Sequence, residues 1–115
     1  MSRRGRSRIT AKRRAHASVF AALGDETRLS LVAKLCGGQP RSISQLTRGS
    51  RLTRQAITKH LRVLQNAGVV HSARTGRESR FAFNPEPMEE IKKYLDLVSE
   101  RWDQALSRLK PFVEG

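Results

Sequence analysis

Apolar residues recur along this 115-residue chain with two different periods, and the change from one to the other falls at Gly68. Upstream, the spacing is that of short helices punctuated by glycines at Gly24, Gly37, Gly38 and Gly49. A first helix is expected over residues 16–23, with Val19, Phe20 and Leu23 facing inward. Asp25 can cap a second, whose Leu29, Val32, Ala33 and Cys36 form an apolar stripe that stops at Gly37. Ser42-Ile-Ser-Gln45 has the S-x-x-Q form of a capping box and opens a short third helix with Ile43 and Leu46 buried. Residues 49–52 then lead to a fourth helix from Thr53 to about Ala67. Two short helices joined by a tight glycine-containing turn describe a helix-turn-helix.

After Gly68 the period is two. Residues 69–74 and 79–83 flank Thr75-Gly-Arg-Glu78, which predicts a β-hairpin carrying Arg74, Arg77 and Arg80 near its tip. A hairpin directly after such a helix is the wing of a winged helix-turn-helix, an element that lies along phosphates or reaches into a minor groove. Pro85 and Pro87 end the hairpin and open a last helix. There Met88, Ile91, Leu95, Val98, Trp102, Ala105, Leu109 and Phe112 alternate in steps of three and four, the spacing of a helix–helix seam. From residue 87 to 110 this helix is roughly 36 Å long, before Pro111 interrupts or ends it. So long a seam exceeds what a small core can cover, and a second copy of the chain is the expected partner. The fold class that results is mainly α with a small β-hairpin, with the last helix expected to pair with a second copy. A basic tail (1–14), a winged helix-turn-helix (15–84) and a dimerisation helix (85–115) divide it.

Charge changes the picture. The net charge is +13, with an isoelectric point near 11.5, an imbalance that points to an anionic partner. It is unevenly placed: residues 1–14 hold seven basic and no acidic side chains, 15–84 eleven and three, and 85–115 five and seven. The tail lacks hydrophobic periodicity and is expected to be disordered. In the fourth helix Ile57, Leu61 and Leu64 make the inner stripe, while Gln55, Thr58, Lys59 and Arg62 line another face beside Arg54 and His60. No carboxylate lies between Leu52 and Leu64. Thr53 can cap this helix, and Leu52 and Ile57 occupy the hydrophobic-staple positions that set its approach angle. Arg54 and Gln55, at the N-terminus, are best placed for base edges, since Arg pairs with guanine N7/O6 and Gln with adenine. Thr58 follows along the groove, Lys59 and Arg62 suit phosphates, and His60 serves contact or packing. Ser42 and Thr53 can present helix-start N–H groups to phosphate.

Other chemistries find little support. The P-loop, nucleophile-elbow and zinc-protease motifs are absent, and nothing marks an activated nucleophile, so no catalysis is expected. Cys36 is alone, which excludes an internal disulfide and fits a reducing cytoplasm; it is read as a core residue. His16 and His71 have no partners at metal-ligand spacing. No apolar run is long enough to span a membrane, and no signal peptide is visible. Two rival readings stay open: a non-specific nucleic-acid binder driven by tail and wing, and a protein-interaction module built on the last helix. Phe81 and Phe83 fall on the inward hairpin face, which argues against an RNA-stacking version of the first.

In combination and order, Phe20-Ala-Ala-Leu-Gly-Asp-Glu-Thr-Arg-Leu29, Thr53-Arg-Gln-Ala-Ile-Thr-Lys-His-Leu61, Leu64-Gln-Asn-Ala-Gly-Val-Val70 and the hairpin Gly76-Arg77 resemble the ArsR-type family of bacterial winged-helix regulators. The likeness spans about residues 15–110. It implies a homodimer built through the first and last helices, bound to a pseudo-palindromic operator in double-stranded DNA and repressing transcription. The expected interface set is then Val19, Phe20, Ile91, Leu95, Val98, Trp102 and Leu109. Members of that family sense metals through thiolates in the third helix or through His and carboxylates in the last. Here residues 42–48 hold no Cys and 87–113 no His. Metal sensing is therefore not carried over, and no cofactor is expected.

Overall fold

Three side-chain caps organise the helical half of the computed structural model, which describes the backbone of residues 2–114 and the side chains of 8–114. Asp25 Oδ2 accepts the Arg28 N–H (3.0 Å) and starts α2 (Glu26–Leu35). Ser42 and Gln45 form a reciprocal capping box at 3.2 and 2.9 Å, opening α3 (Ile43–Thr47). Thr53 Oγ1 accepts the Ala56 N–H (3.1 Å) and starts α4 (Arg54–Asn66). Each cap satisfies a helix-end donor that would otherwise lack a partner, typically for about 1 kcal/mol. Gly68, at φ +79°, ends α4, and the chain turns into β2 (Val70–Thr75) and β3 (Glu78–Phe83).

The hairpin turn is shorter than residues 75–78. Strand pairing runs from Val70↔Phe83 to Thr75↔Glu78, leaving Gly76-Arg77 as a two-residue turn. Gly76 sits at φ +65° while Arg77, like every other described non-glycine residue, has negative φ, the signature of a type II′ turn that needs glycine first. A two-residue strand β1 (Arg41–Ser42), which periodicity cannot announce at that length, pairs antiparallel with β3, so the sheet order is β1-β3-β2.

Leu46, Leu61, Leu64 and Val69 are fully buried, and Leu31, Leu35, Ile57 and Val70 nearly so. Val19, Ala22, Phe81 and Ile91 close the cluster from α1, the wing and α5. In α2 the inward face is Leu31, Val32 and Leu35, whereas Leu29 is 53% exposed and Cys36 is exposed. The stripe Leu29-Val32-Ala33-Cys36 has the same helical spacing, but it would bury Ala and Cys where the observed rotation buries two leucines. Cys36 is thus a surface residue. In α1 it is Ala22 that reaches the core, while Phe20 turns outward to meet Tyr94 edge-on, ring centroids 6.1 Å apart.

The two terminal helices depart most from expectation. Helix α1 spans Ser2–Leu23, so residues 2–14, expected as a disordered tail, are helical; Met1 lies outside the described residues. Val19 and Ala22 anchor the helix, and extension through an Arg/Lys-rich, proline-free stretch needs no new nucleus. Helix α5 (Pro85–Glu114) has 30 residues, roughly 45 Å, and continues past Pro111. Met88 and Ile91 pack on the core, but from Lys92 to Glu114 every residue except the half-buried Val98 is exposed. No helix among the described residues is long and apolar enough to cross a membrane.

Candidate nucleic-acid interface

Helix α4 is held from below by the burial of Ile57, Leu61 and Leu64. Leu52, packed on the same cluster, supplies the staple expected at its start. This orientation leaves Arg54, Gln55, Lys59 and Arg62 exposed. Thr58 is half-buried, and its hydroxyl donates to the Arg54 carbonyl (2.7 Å), so toward a ligand it offers a methyl and an acceptor rather than a donor. Gln65 Nε2 donates to Ser72 Oγ (3.0 Å), and Asn84 Nδ2 to the Gly68 carbonyl (3.0 Å), tying the end of α4 to the base of the wing.

His60 belongs elsewhere. Its Nδ1 lies 3.2 Å from an Arg28 amino group and 3.8 Å from Asp25 Oδ2. Arg28 also donates to the carbonyls of Ala22 and Ala21 at the end of α1. The Asp25–Arg28–His60 cluster therefore joins α1, α2 and α4, and His60 and Arg28 are positioning residues rather than groups on the outer face. The Arg28 N–H, received by Asp25, holds that carboxyl below its usual value, with the nearby Arg28 and His60 charges adding to the effect.

Ser42 is likewise committed to a local cap. It is 6% exposed and both its hydroxyl and its N–H are used in the α3 cap. The exposed hydroxyl nearby is Ser44, which sequence reasoning did not single out. Ser42, Ile43, Ser44, Arg54, Arg77, Glu78 and Ser79 surround a cleft of about 250 Å³ between the starts of α3 and α4 and the wing tip. Two arginines distant in sequence thus face one concavity. Thr53 is exposed, with its hydroxyl on the α4 cap.

The wing arginines do not form one stripe. Register and strand alternation place Arg74 on the face of Ser72 and Phe81, and Arg80 on the opposite face beside Ala73. Arg80 lies 3.8 Å from Glu78, both largely exposed, a pair worth little in water. Arg41 and Arg48 were also missed. The available signal was length: no acidic residue occurs between Glu26 and Glu78, a much longer acid-free run than α4 alone.

Of the expected interface residues, Val19 and Ile91 are 4% exposed within one chain and belong to its core. Phe20 (38%), Leu95 (47%), Trp102 (62%) and Leu109 (53%) are open, and Val98 is half-buried. Tyr94, Leu97, Leu106 and Phe112 are further exposed apolar residues of the same helix. Among the described residues no three or more His, Cys, Asp or Glu side chains come together as a metal site would require.

Three helices, a short connecting helix turn and a two-stranded wing around a solvent-facing basic helix define a winged helix-turn-helix. Comparison with known proteins agrees. The profile described as "Bacterial regulatory protein, arsR family" matches residues 25–72. The HTH-type transcriptional regulator YuzN of Bacillus subtilis (strain 168), itself described as uncharacterized, is 38% identical over 82 residues, covering 66% of this chain and 89% of that protein. An ArsR-like transcriptional regulator from Rhodococcus sp. RHA1 superposes with a TM-score of 0.75 at 36% identity, covering 89% and 95% of the two chains. The fold also matches the homodimeric winged helix-turn-helix DNA-binding domain of Mb0332 from Mycobacterium bovis, with a TM-score of 0.63 at 22% identity over 88% and 90%. The chain belongs to the ArsR family and is a transcriptional regulator rather than an enzyme.

Proposed function

We propose that this regulator binds a pseudo-palindromic DNA operator as a homodimer and represses transcription by occupying promoter DNA. The observation that carries the reading is the outer face of α4: Arg54, Gln55, Lys59 and Arg62 are exposed, with no carboxylate on the helix. Such a face suits insertion into a major groove, with Arg54 and Gln55 at base edges, Thr58 against a thymine methyl, and Lys59 and Arg62 on phosphates. Arg77, across the cleft from Arg54, follows the backbone from the wing tip, with Arg74 and Arg80 on the wing's two faces. The second recognition helix comes from a second copy joined through Phe20, Leu95, Val98, Trp102 and Leu109, which sets half-sites about 34–36 Å apart. The homodimeric state of the Mb0332 domain supports this arrangement. Selection of bound sequences from random DNA at ~150 mM salt, where non-specific binding is weak, should return a two-fold-symmetric motif. Recovery of unrelated sequences, with affinity following only salt, would instead identify a non-specific binder.

A further inference from the structure

A second basic surface lies across the α3 cap from the Arg54–Arg77 cleft. Gln39, Pro40, Arg41, Gln45, Arg48 and Arg80 line an open basin of about 490 Å³. Its arginines come from three separate elements: β1, the end of α3 and β3. No carboxylate lines it. Among the described residues the side chains of Arg41 and Arg48 make no ion pair, and Arg80 has only Glu78 at 3.8 Å. Gln45 Oε1 already accepts the Ser42 N–H, so its amide presents donors to the basin rather than an acceptor. A wall of donors and like charges whose one carboxylate neighbour, Glu78 beside Arg80, is exposed and outside the basin is a binding surface for phosphate oxygens.

We propose that the Arg41–Arg48–Arg80 basin is a phosphate-binding site that grips the DNA backbone beyond the bases met by α4. The assignment rests on the DNA-binding reading above and extends its footprint. Position favours backbone over a free phosphate ester. Neighbouring residues of β3 line the two, Glu78 and Ser79 the recognition cleft and Arg80 the basin, so the sites adjoin along one strand. The basin is open to solvent rather than enclosed, so a polymer backbone can enter it. Gripping of this kind orients the protein and carries no sequence information.

The test compares wild type with Arg41→Ala/Arg48→Ala and Arg41→Lys/Arg48→Lys, each checked for an unchanged thermal melt. Binding is measured over a salt series on the selected motif and on a scrambled duplex. The Ala pair should weaken both complexes alike and lower the slope of log K against log salt by about two per protomer. The Lys pair should keep most of that slope, and motif preference should not change. A parallel titration of inorganic pyrophosphate, followed by arginine side-chain NMR signals, separates the two sources. Saturable pyrophosphate binding lost in the Ala pair, with the DNA slope unchanged, overturns the backbone assignment in favour of a free phosphate ester. An unchanged slope without pyrophosphate binding overturns the site altogether. If wild type selects a motif and Arg54→Ala relaxes it while the Ala pair does nothing, only this inference fails. If wild type selects no motif, the parent reading fails.

Discussion

Helices α4 and α5 are both amphipathic, yet they dispose of their apolar faces in opposite ways. In α4 Ile57, Leu61 and Leu64 are at most 1% exposed, and the helix is completed by its own chain. In α5 only Ile91 is buried, while Trp102, Leu109 and Phe112 are 62%, 53% and 85% exposed. The hydrophobic effect is indifferent to which chain supplies the cover. An apolar face left open by its own fold is therefore as informative as a polar face with no acid on it. The first asks for an apolar partner surface, which we propose a second copy of the chain supplies; the second asks for an anion.

The largest expected effect comes from breaking the α5 face. Leu95→Glu/Trp102→Glu should convert a dimer to monomers in sedimentation and reduce operator affinity on the order of 100-fold or more, because bivalent binding is lost. A doubly substituted protein that still sediments as a dimer would sink the α5 assignment. Next is the inner face of α4: Leu61→Ala should cost about 2–5 kcal/mol of stability in denaturant unfolding, lowering DNA binding only through loss of folded protein. Its outer face should behave inversely. Arg54→Ala should leave the melt unchanged and cost about 1–3 kcal/mol at the operator, with relaxed preference at one base position. Equal weakening on every sequence would move Arg54 to the backbone.

The smallest effect concerns the cluster that seats α4 on α2. A folded-state value below that of the unfolded chain means Asp25 contributes stability above its ordinary value of 3.8, and that this is lost as pH falls through the lowered value. Asp25→Asn should therefore melt below wild type near neutrality. The gap between the two melting temperatures should close as the pH falls below 3.8 and through the lowered value. A gap independent of pH would show that the carboxylate charge plays no part.

Much of this fold was legible because the signals are local. Caps at Asp25, Ser42 and Thr53 depend on side chains within three residues of the N–H they receive. The α4 stripe and the alternation of the wing follow from helix and strand periods. Legibility failed wherever two answers shared one period. The α2 residues Leu29, Val32, Ala33 and Cys36 and the set Leu31, Val32 and Leu35 are both helical stripes, and only the shape of the core selects between them. His60 was similarly ambiguous until Arg28, 32 residues away in sequence, was seen to reach it.

What the amino-acid order settles here is the set of elements, their caps and an α4 face that repels nothing negative. These follow from interactions over a few residues, whose geometry the backbone dictates. What packing settles is rotation and neighbourhood: which face of α2 is inside, that Val19 and Ile91 are core rather than interface, and that β1 joins the sheet. Packing also brings Arg54 to Arg77, and Arg41 and Arg48 to Arg80. Those outcomes depend on contacts between elements far apart in the chain. The volume to be filled, rather than local propensity, decides them.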